Sequence, residues 1–306
     1  MRIFQKDRRI SHSLANIHQL FSEEYLYYSN HNVRTFNLGG IAYESLYRRL
    51  NVQLLITMKC LFDCDFCIEK INPASISEKQ DLVRQLANLQ KILSILISSG
   101  MEPSASITGG EPLLFPENCL QVSHLLQKMG IAYNLNTAGL ISNIVKSFNR
   151  INLSVHHFDP IQNATSFGVV RRNRYWEHPY YKTATIQTVL KNPSLNYVTS
   201  FLESFSNPRY SFRFVSETDS KDIKPVEWYD LFESINSDGR FVFRQQKIGD
   251  YYFFEEYSYG KKLVRFSFSS IAQLNSYKKL EHQTAKNYVR AVVIKPDGEI
   301  QFDWIP

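Results

Sequence analysis

The stretch VQLLITMKCLFDCDFC, which occupies residues 52–67, determines how the rest of this sequence is interpreted. It begins with the short apolar run Val52–Thr57, which predicts a β-strand. Three cysteines follow at once, Cys60, Cys64 and Cys67, with the spacing C-x3-C-x2-C. Thiolates are soft ligands that suit iron–sulfur clusters, zinc or copper(I). We therefore expect a metal or cluster site on the loop that follows the strand.

Strands and helices alternate on the C-terminal side of this stretch, which predicts a parallel sheet covered by helices. The first helix has Ser77 as its cap, leucines at spacings of four and three, and Gly100 at its end. Six strands are expected: Val52–Thr57, Ser104–Ile107, Ala132–Leu135, Ile151–Val155, Thr183–Leu190 and Ser211–Val215. The other expected helices are Glu117–Met129, Leu195–Ser206 and Val226–Ile235, and a short helical stretch is expected over Ile141–Phe148.

This alternation indicates an α/β fold class. Residues 51–237 are expected to form a partial (β/α)6 TIM-like barrel, preceded by an N-terminal extension of helices or loops over residues 1–50. Residues 238–306 predict a small antiparallel β C-terminal cap, an α+β domain. Its expected strands are Phe241–Arg244, Tyr251–Glu256 and Leu263–Phe268, followed by a hairpin of Ala291–Ile294 and Ile300–Trp304 that turns at Gly298.

The sequence Gly109-Gly110-Glu111 comes directly after the second expected strand. Glycine permits close backbone approach and positive φ angles. Backbone carbonyl groups of such a turn, with Glu111 beside them, can accept hydrogen bonds from an ammonium group. In parallel barrels the chemistry lies at the carboxyl ends of the strands, which is where both this motif and the cysteine trio fall.

The number of cysteines limits what the trio can bind. A closed structural zinc site usually has four ligands, whereas three thiolates leave one iron of a four-iron cluster open to a small molecule. The alternative is a zinc loop completed by a distant ligand such as His124 or Cys119. Cys119, the fourth and last cysteine, is interpreted as a buried helix residue.

The trio, with Phe66 before its last cysteine, and the motif Gly109-Gly110-Glu111-Pro112 after the next strand together resemble the radical S-adenosylmethionine (SAM) superfamily. The resemblance implies a [4Fe-4S] cluster held by Cys60, Cys64 and Cys67, whose open iron is chelated by SAM. Reductive cleavage of SAM would yield a 5′-deoxyadenosyl radical that abstracts hydrogen from a substrate. Phe66, Gly109, Gly110 and Glu111 would contribute to the SAM site.

Further polar residues at later strands are candidates for SAM or substrate binding by the same resemblance, which covers about residues 52–215. Asn136 lies in a stretch similar to one in the molybdenum-cofactor and peptide-modifying branches, and Ser154 and His156 are expected on one face of the fourth strand. Arg213 could meet the SAM carboxylate or a substrate anion, or form an ion pair with an acidic neighbour. The candidates are Asn136, Ser154, His156, Gln187 and Arg213.

The chain differs from many peptide-modifying relatives because no cysteine follows Cys119, which excludes a complete cysteine-bound auxiliary cluster. The same absence argues against molybdenum-cofactor cyclase activity. The substrate is expected to be a small metabolite, a nucleotide or a peptide, and the electron donor a flavodoxin or ferredoxin. The alternative from a different class is a non-catalytic zinc- or cluster-binding interaction protein on the same fold.

Charge and hydropathy exclude several other classes. The net charge is +6, yet no dense block of Lys and Arg stands out, so nucleic-acid binding is not expected. No apolar run approaches the ~20 residues of a membrane span, and no signal-peptide core follows the basic N-terminus. We therefore expect a cytoplasmic, oxygen-sensitive iron–sulfur protein without a membrane partner.

Overall fold

The structure is a computed structural model of the 306-residue chain. It describes residues 34–45, 49–64, 66–67, 80–170, 173–190, 193–214, 225–248, 252–269, 287, 289 and 291–302. Two compact units can be distinguished. The cysteine unit comprises the described residues within Asn32–Ser154, Ala164–Tyr181 and Asn287–Pro306, and the second unit comprises those within Val155–Asn163 and Lys182–Lys286.

The cysteine unit is built on a mostly parallel sheet. Its strand order is β13-β12-β3-β4-β5-β6, and neighbouring strands are parallel except for β12 and β13. A separate hairpin joins β1 to β2. The strands are β1 (Arg34–Leu38), β2 (Ile41–Ser45), β3 (Asn51–Leu55), β4 (Ser104–Thr108), β5 (Ala132–Thr137), β6 (Ile151–Ser154), β12 (Ala291–Ile294) and β13 (Ile300–Phe302).

Helices cover one face of this sheet. The helix α1 (Leu82–Ser98) buries Leu89, Ile92, Leu93 and Leu96, which confirms the leucine spacing seen in the sequence. The helix begins after Asp81, whose side chain accepts a hydrogen bond from Arg84 N at 3.0 Å. The expected cap Ser77 lies outside the described residues. The other described α-helices are α2 (Pro116–Lys128), α3 (Pro160–Ser166), α4 (Leu195–Ser204) and α5 (Pro225–Ser237).

The second unit has its own run of strands, in the order β7-β8-β11-β10-β9. The strands are β7 (Thr185–Leu190), β8 (Arg209–Phe214), β9 (Phe241–Ile248), β10 (Tyr252–Tyr259) and β11 (Lys262–Ser269). Aromatic side chains form its core, where Phe212 and Phe266 stack at 5.2 Å between ring centroids and Phe201 and Phe232 contact them edge-on. Phe212 and Phe266 lie opposite each other on neighbouring strands, so the core lies on the face to which they point. The alternate residues of β8 and β11 point to the other face.

The strands after residue 238 form both expected and unexpected pairings. The antiparallel pairings β9–β10–β11 and the hairpin β12–β13 were expected, and they are confirmed. However, β11 also pairs in parallel with β8, and β12 pairs in parallel with β3. These strands therefore extend the sheet of each unit, since an uncovered edge of β8 or β3 would leave backbone N–H and C=O groups unpaired.

One local prediction was wrong in type. The described part of the N-terminal extension is the β1–β2 hairpin, whose turn at Gly39 and Gly40 has φ angles of 62° and 83°. Such a Gly-Gly pair is a strong hairpin signal that the composition of the segment obscured. The short helical stretch expected over Ile141–Phe148 is confirmed as a 3-10 helix, Asn143–Ser147. Among the described helices, none has the length and apolar character needed to cross a bilayer.

Gln85 provides a test of how α1 is fixed to the sheet. Its buried Nε2 donates to Leu55 O and to Lys295 O, both at 3.0 Å. The substitution Gln85→Ala would remove both hydrogen bonds and leave Leu55 O without this donor, whereas Lys295 O would still accept from Gly298 N at 2.9 Å. It is expected to lower the free energy of unfolding by about 1–3 kcal/mol. The exposed Gln90 of the same helix is the matched control, and Gln90→Ala should change stability by less than about 0.5 kcal/mol. Urea denaturation measures both, and equal effects would contradict the assignment.

Candidate cluster and cofactor site

The cysteine loop begins at the carboxyl end of β3. Cys60 is exposed, Cys64 and Cys67 are half-buried, and all three are free thiols. Cys67 N donates a hydrogen bond to Cys64 O at 3.3 Å, which closes a turn around Phe66. Phe66 itself is half-buried. The trio is thus on a partly exposed loop, where an incoming group can reach the sulfur atoms.

The turn at Gly109 and Gly110 lies directly against the start of the cysteine loop. Gly110 N donates to Thr57 O at 2.7 Å, and Glu111 N donates to Lys59 O at 2.9 Å. A Cβ atom added to Gly109 would lie 2.2 Å from Thr57 O, and one added to Gly110 would lie 2.3 Å from Lys59 O. Gly109 also has a φ of 128°, which disfavours other residues. Only glycine fits at both positions, so the structure brings the two sequence motifs together.

A second contact fixes the middle of the cysteine loop. Asp63 N donates to Phe167 O at 2.9 Å, and the rings of Phe62 and Phe167 lie 5.0 Å apart. Gly168 follows with a φ of 66°, and a Cβ there would lie 2.7 Å from Asp63 O. This contact was not predicted from the sequence, although Gly168 is a signal for close backbone approach.

Glu111 is completely buried, and its carboxylate connects the ends of two strands. Its Oε1 accepts from Leu113 N at 3.0 Å and from Thr137 Oγ1 at 2.8 Å, while Oε2 accepts from Ala138 N at 2.7 Å. Thr137 ends β5, so the carboxylate holds the turn after β4 to the turn after β5. The side chain therefore has a structural role of its own, which the sequence did not reveal.

The carboxylate of Glu111 also affects two thiols. Although solvent reaches Cys60, the surrounding protein desolvates its thiol and raises its pKa, and Glu111 and Cys67 raise it further. Backbone hydrogen bonds from Phe62 and Leu61 act in the opposite direction. Burial raises the pKa of Cys119 to about 12, and Glu111 adds to that shift. A metal or cluster that binds Cys60 must therefore displace its proton.

Cys119 is a structural cysteine, as expected from its helix. It is buried on α2, and its Sγ donates to Pro112 O at 3.2 Å. His124, the other suggested zinc ligand, is exposed on the same helix. Within the part of the chain that the structure describes, no three or more His, Cys, Asp or Glu side chains are grouped closely enough to hold a metal ion. This holds for Cys60, Cys64 and Cys67 as well, so it does not distinguish a zinc site from a cluster site.

The donor set fits an iron–sulfur cluster by its chemistry. Three thiols lie on one loop, and backbone contacts fix that loop at Thr57–Lys59 and at Asp63. The carbonyl oxygens of Gly109 and Gly110 accept no hydrogen bond among the described residues, which leaves them open to an ammonium donor. These features match the soft ligands that a cluster requires and the acceptors that the SAM amino group requires.

Asn136 is part of a polar network on the sheet face opposite the apolar core of the cysteine unit. Its Oδ1 accepts from Asn134 Nδ2 at 2.8 Å and from Asn152 Nδ2 at 2.7 Å. Asn134 in turn accepts from Ser106 Oγ at 3.0 Å. The carbonyl oxygen of Asn136 is thus held by two donors, whereas its amide N–H groups donate to none of the described residues and can donate to a ligand.

Ser154 and His156 were expected on one face of the fourth strand, and this pairing stays a prediction. The strand β6 ends at Ser154, yet burial still alternates beyond it, since Ser154 and His156 are half-buried and Val155 between them is buried. Ser154 O accepts from Tyr175 Oη at 2.6 Å. In the second unit, His156 Nδ1 accepts from Val189 N at 3.2 Å, so in the neutral ring the proton lies on Nε2. Burial, opposed by Asp159, lowers the pKa of the adjacent His157.

Gln187 and Arg213 also belong to the second unit, on neighbouring strands β7 and β8. Gln187 lies opposite Ser211, two residues before Arg213. Gln187 is half-buried and Arg213 is exposed, and neither side chain forms a hydrogen bond among the described residues. The structure therefore brings these two candidates together, within the second unit.

No family model and no curated protein matches the sequence. Among solved structures, the chain resembles native anSMEcpe with bound AdoMet at 15% identity and a TM-score of 0.45, over 62% of this chain and 61% of that one, which is less than two thirds of its length. A polyhistidine-tagged form of anSMEcpe with bound AdoMet gives 14% identity and a TM-score of 0.48, over 83% and 74% of the two chains. A structure of TYW1 with a lysine–pyruvate adduct bound gives 14% identity and a TM-score of 0.42, over 76% and 84%. Similarities this weak carry no argument about function, which depends on the residues themselves.

The Gly-Gly turn can be tested by adding one methyl group. Gly109→Ala and Gly110→Ala should each displace Thr57–Lys59, because the added Cβ would overlap a carbonyl oxygen. We expect a loss of about 2–4 kcal/mol in the free energy of unfolding and a lower iron content after anaerobic reconstitution.

Gly130→Ala is the control for this experiment, since Gly130 also has a positive φ but nothing within 4 Å of an added Cβ. It should lose only about 1–2 kcal/mol, from the left-handed backbone, and keep its iron. Iron analysis and thermal denaturation are carried out on all three variants. Full iron content in both turn variants would show that cluster binding does not depend on this contact.

The structural role of Glu111 predicts an effect that needs no ligand. Glu111→Gln places an NH2 group against hydrogen-bond donors, and we expect it to lower the free energy of unfolding by about 1–3 kcal/mol in the apo protein. The exposed Glu117 in the first turn of α2 is the control, and Glu117→Gln should cost about 0.5 kcal/mol or less. If apo Glu111→Gln unfolds like the unsubstituted protein in urea, the carboxylate does not hold the two turns together.

Proposed function

We propose that this protein is a radical SAM enzyme in which Cys60, Cys64 and Cys67 hold a [4Fe-4S] cluster. The supporting observation is the backbone contact between the Gly109-Gly110 turn and Thr57–Lys59, immediately before the first cysteine. A bound cluster would supply the electron for reductive cleavage of SAM, and the resulting 5′-deoxyadenosyl radical would abstract hydrogen from a substrate.

In this proposal the chain itself binds and orients the cosubstrate. The open carbonyl oxygens of Gly109 and Gly110 would accept hydrogen bonds from the amino group of SAM. Asn136 would donate from its amide, because Asn134 and Asn152 occupy its carbonyl oxygen. Glu111 would act indirectly, by holding the turns after β4 and β5 in place.

The proposal extends to features that the sequence indicates. These are a partial (β/α)6 barrel, a cytoplasmic and oxygen-sensitive protein, and electron transfer from a flavodoxin or ferredoxin. The substrate is a small metabolite, a nucleotide or a peptide. The alternative is a non-catalytic zinc- or cluster-binding interaction protein, which would require ligands beyond the trio to close a zinc site.

The four cysteines provide a matched test. After anaerobic reconstitution, the protein should contain about four irons per chain and should release 5′-deoxyadenosine from SAM when a strong reductant is added. Cys64→Ala should lose both properties, because it removes one of three thiolates. Cys119→Ala should retain both and lose only about 1–2 kcal/mol of stability, since Cys119 is buried against Pro112. Iron analysis and chromatography of the nucleoside products provide the two readouts.

Two results would reject this function. Full SAM cleavage by Cys64→Ala would show that the trio does not hold the reactive cluster. A protein that contains zinc and no iron after anaerobic preparation would support the non-catalytic alternative.

A further inference from the structure

The second unit presents a row of polar side chains across one face of its sheet. Gln187 on β7 lies opposite Ser211 on β8, and Ser211 lies opposite Arg265 on β11. Arg213 follows Ser211 by two residues and therefore points to the same face. These four side chains form a compact patch, here called the arginine patch, that spans three neighbouring parallel strands.

Packing does not explain the arginine patch. The core of the second unit lies on the opposite face, where Phe212 and Phe266 are fully buried. Arg213 is exposed, Gln187 and Arg265 are half-buried, and Ser211 is buried. A polar face on parallel strands is unusual, because such strands are normally covered by apolar contacts on both sides. The polar composition therefore indicates that this face meets something other than a hydrophobic layer.

Arg213 is not paired with an acidic neighbour among the described residues, which was the alternative that its sequence left open. Within the same part of the chain it also forms no hydrogen bond. Arg240 in the same unit shows the contrasting situation, since its guanidinium contacts Asp238 at 2.8 Å and Glu203 at 3.4 Å. Arg213 therefore offers a guanidinium whose donors are available.

The described charges around Arg213 leave a positive excess. Arg265 contacts Glu256 at 2.8 Å and lies over the ring of Phe254 at 4.2 Å, so the carboxylate of Glu256 is already used. Gln245 Nε2 also donates to Glu256, at 2.7 Å. Although solvent reaches part of Arg213, the surrounding protein desolvates its guanidinium and lowers its pKa, and repulsion from Arg265 adds to that effect. An anion bound between the two guanidinium groups would relieve this repulsion.

We infer that the arginine patch is an oxyanion-binding site that takes a carboxylate or phosphate group of the substrate. A planar guanidinium presents paired N–H donors that match the geometry of both groups. Ser211 and Gln187 add neutral donors, and neither side chain has a hydrogen bond among the described residues. That the oxyanion belongs to a substrate rests on the proposed function, whereas anion binding at the patch does not.

Two sources could supply the oxyanion, the substrate or the carboxylate of SAM itself. The chemistry at Arg213 is the same for both, so the experiment must separate them. Inorganic phosphate is a suitable probe because it carries the oxyanion without the rest of either molecule. Competition between phosphate and SAM then identifies the source.

The test is a phosphate titration of the full-length protein by calorimetry, at low ionic strength where charge effects are not screened. We expect Arg213→Gln to weaken phosphate binding about tenfold or more, because it removes a charge-assisted contact. Arg240→Gln is the control, since it removes the same charge from the same unit at a guanidinium that is already paired. Its phosphate affinity should stay within about twofold of the unsubstituted protein. Arg213→Gln should fold normally, because the side chain has no partner to lose among the described residues, and thermal denaturation checks this.

Three results would overturn the inference. In the first, phosphate binds no more tightly than to a protein without the patch. In the second, both variants weaken phosphate binding equally, which would indicate nonspecific charge effects. In the third, phosphate competes with SAM for the reconstituted protein and Arg213→Gln loses SAM affinity in parallel, so that the oxyanion is that of the cosubstrate.

Independent binding of SAM and phosphate supports a substrate site. The two proposals can fail separately. A protein that does not cleave SAM but still binds phosphate through Arg213 would contradict the proposed function and leave this inference intact.

Discussion

The candidate site depends on one close approach of backbone to backbone. The carbonyl groups of Thr57 and Lys59 occupy the space where side chains on Gly109 and Gly110 would begin. Two hydrogen bonds across the same contact fix its register. Because β3 and β4 are parallel neighbours, their carboxyl ends lie together, and the glycines allow the following loops to remain in contact. These contacts therefore fix the position of the backbone immediately before Cys60.

Glu111 gives this arrangement its rigidity. A buried carboxylate is costly unless it is hydrogen-bonded, and here three donors satisfy it. These donors come from the loop after β4 and from the end of β5, so one side chain fixes two consecutive loops. A motif residue that the resemblance places at the cosubstrate is therefore also a structural element of the fold.

Each unit has a sheet with one apolar and one polar face. In the cysteine unit, Ser106, Asn134, Asn136 and Asn152 hydrogen-bond to one another. In the second unit, the arginine patch has donors with no partner among the described residues. Both faces therefore offer donors to a ligand, the amide N–H groups of Asn136 in the first unit and Arg213 in the second, while the two hydrogen bonds to Asn136 Oδ1 orient its amide.

The sequence by itself determined the order of strands and helices, the cysteine loop and the Gly-Gly turn, because hydrophobic periodicity, cysteine spacing and glycine are local signals. Only the tertiary structure decided that β11 pairs with β8 and β12 with β3, since pairing partners are distant in the chain. It also decided the contact of Gly168 with Asp63 and the buried role of Glu111. These features depend on which backbone and side-chain groups meet in space, and the local sequence does not encode that information.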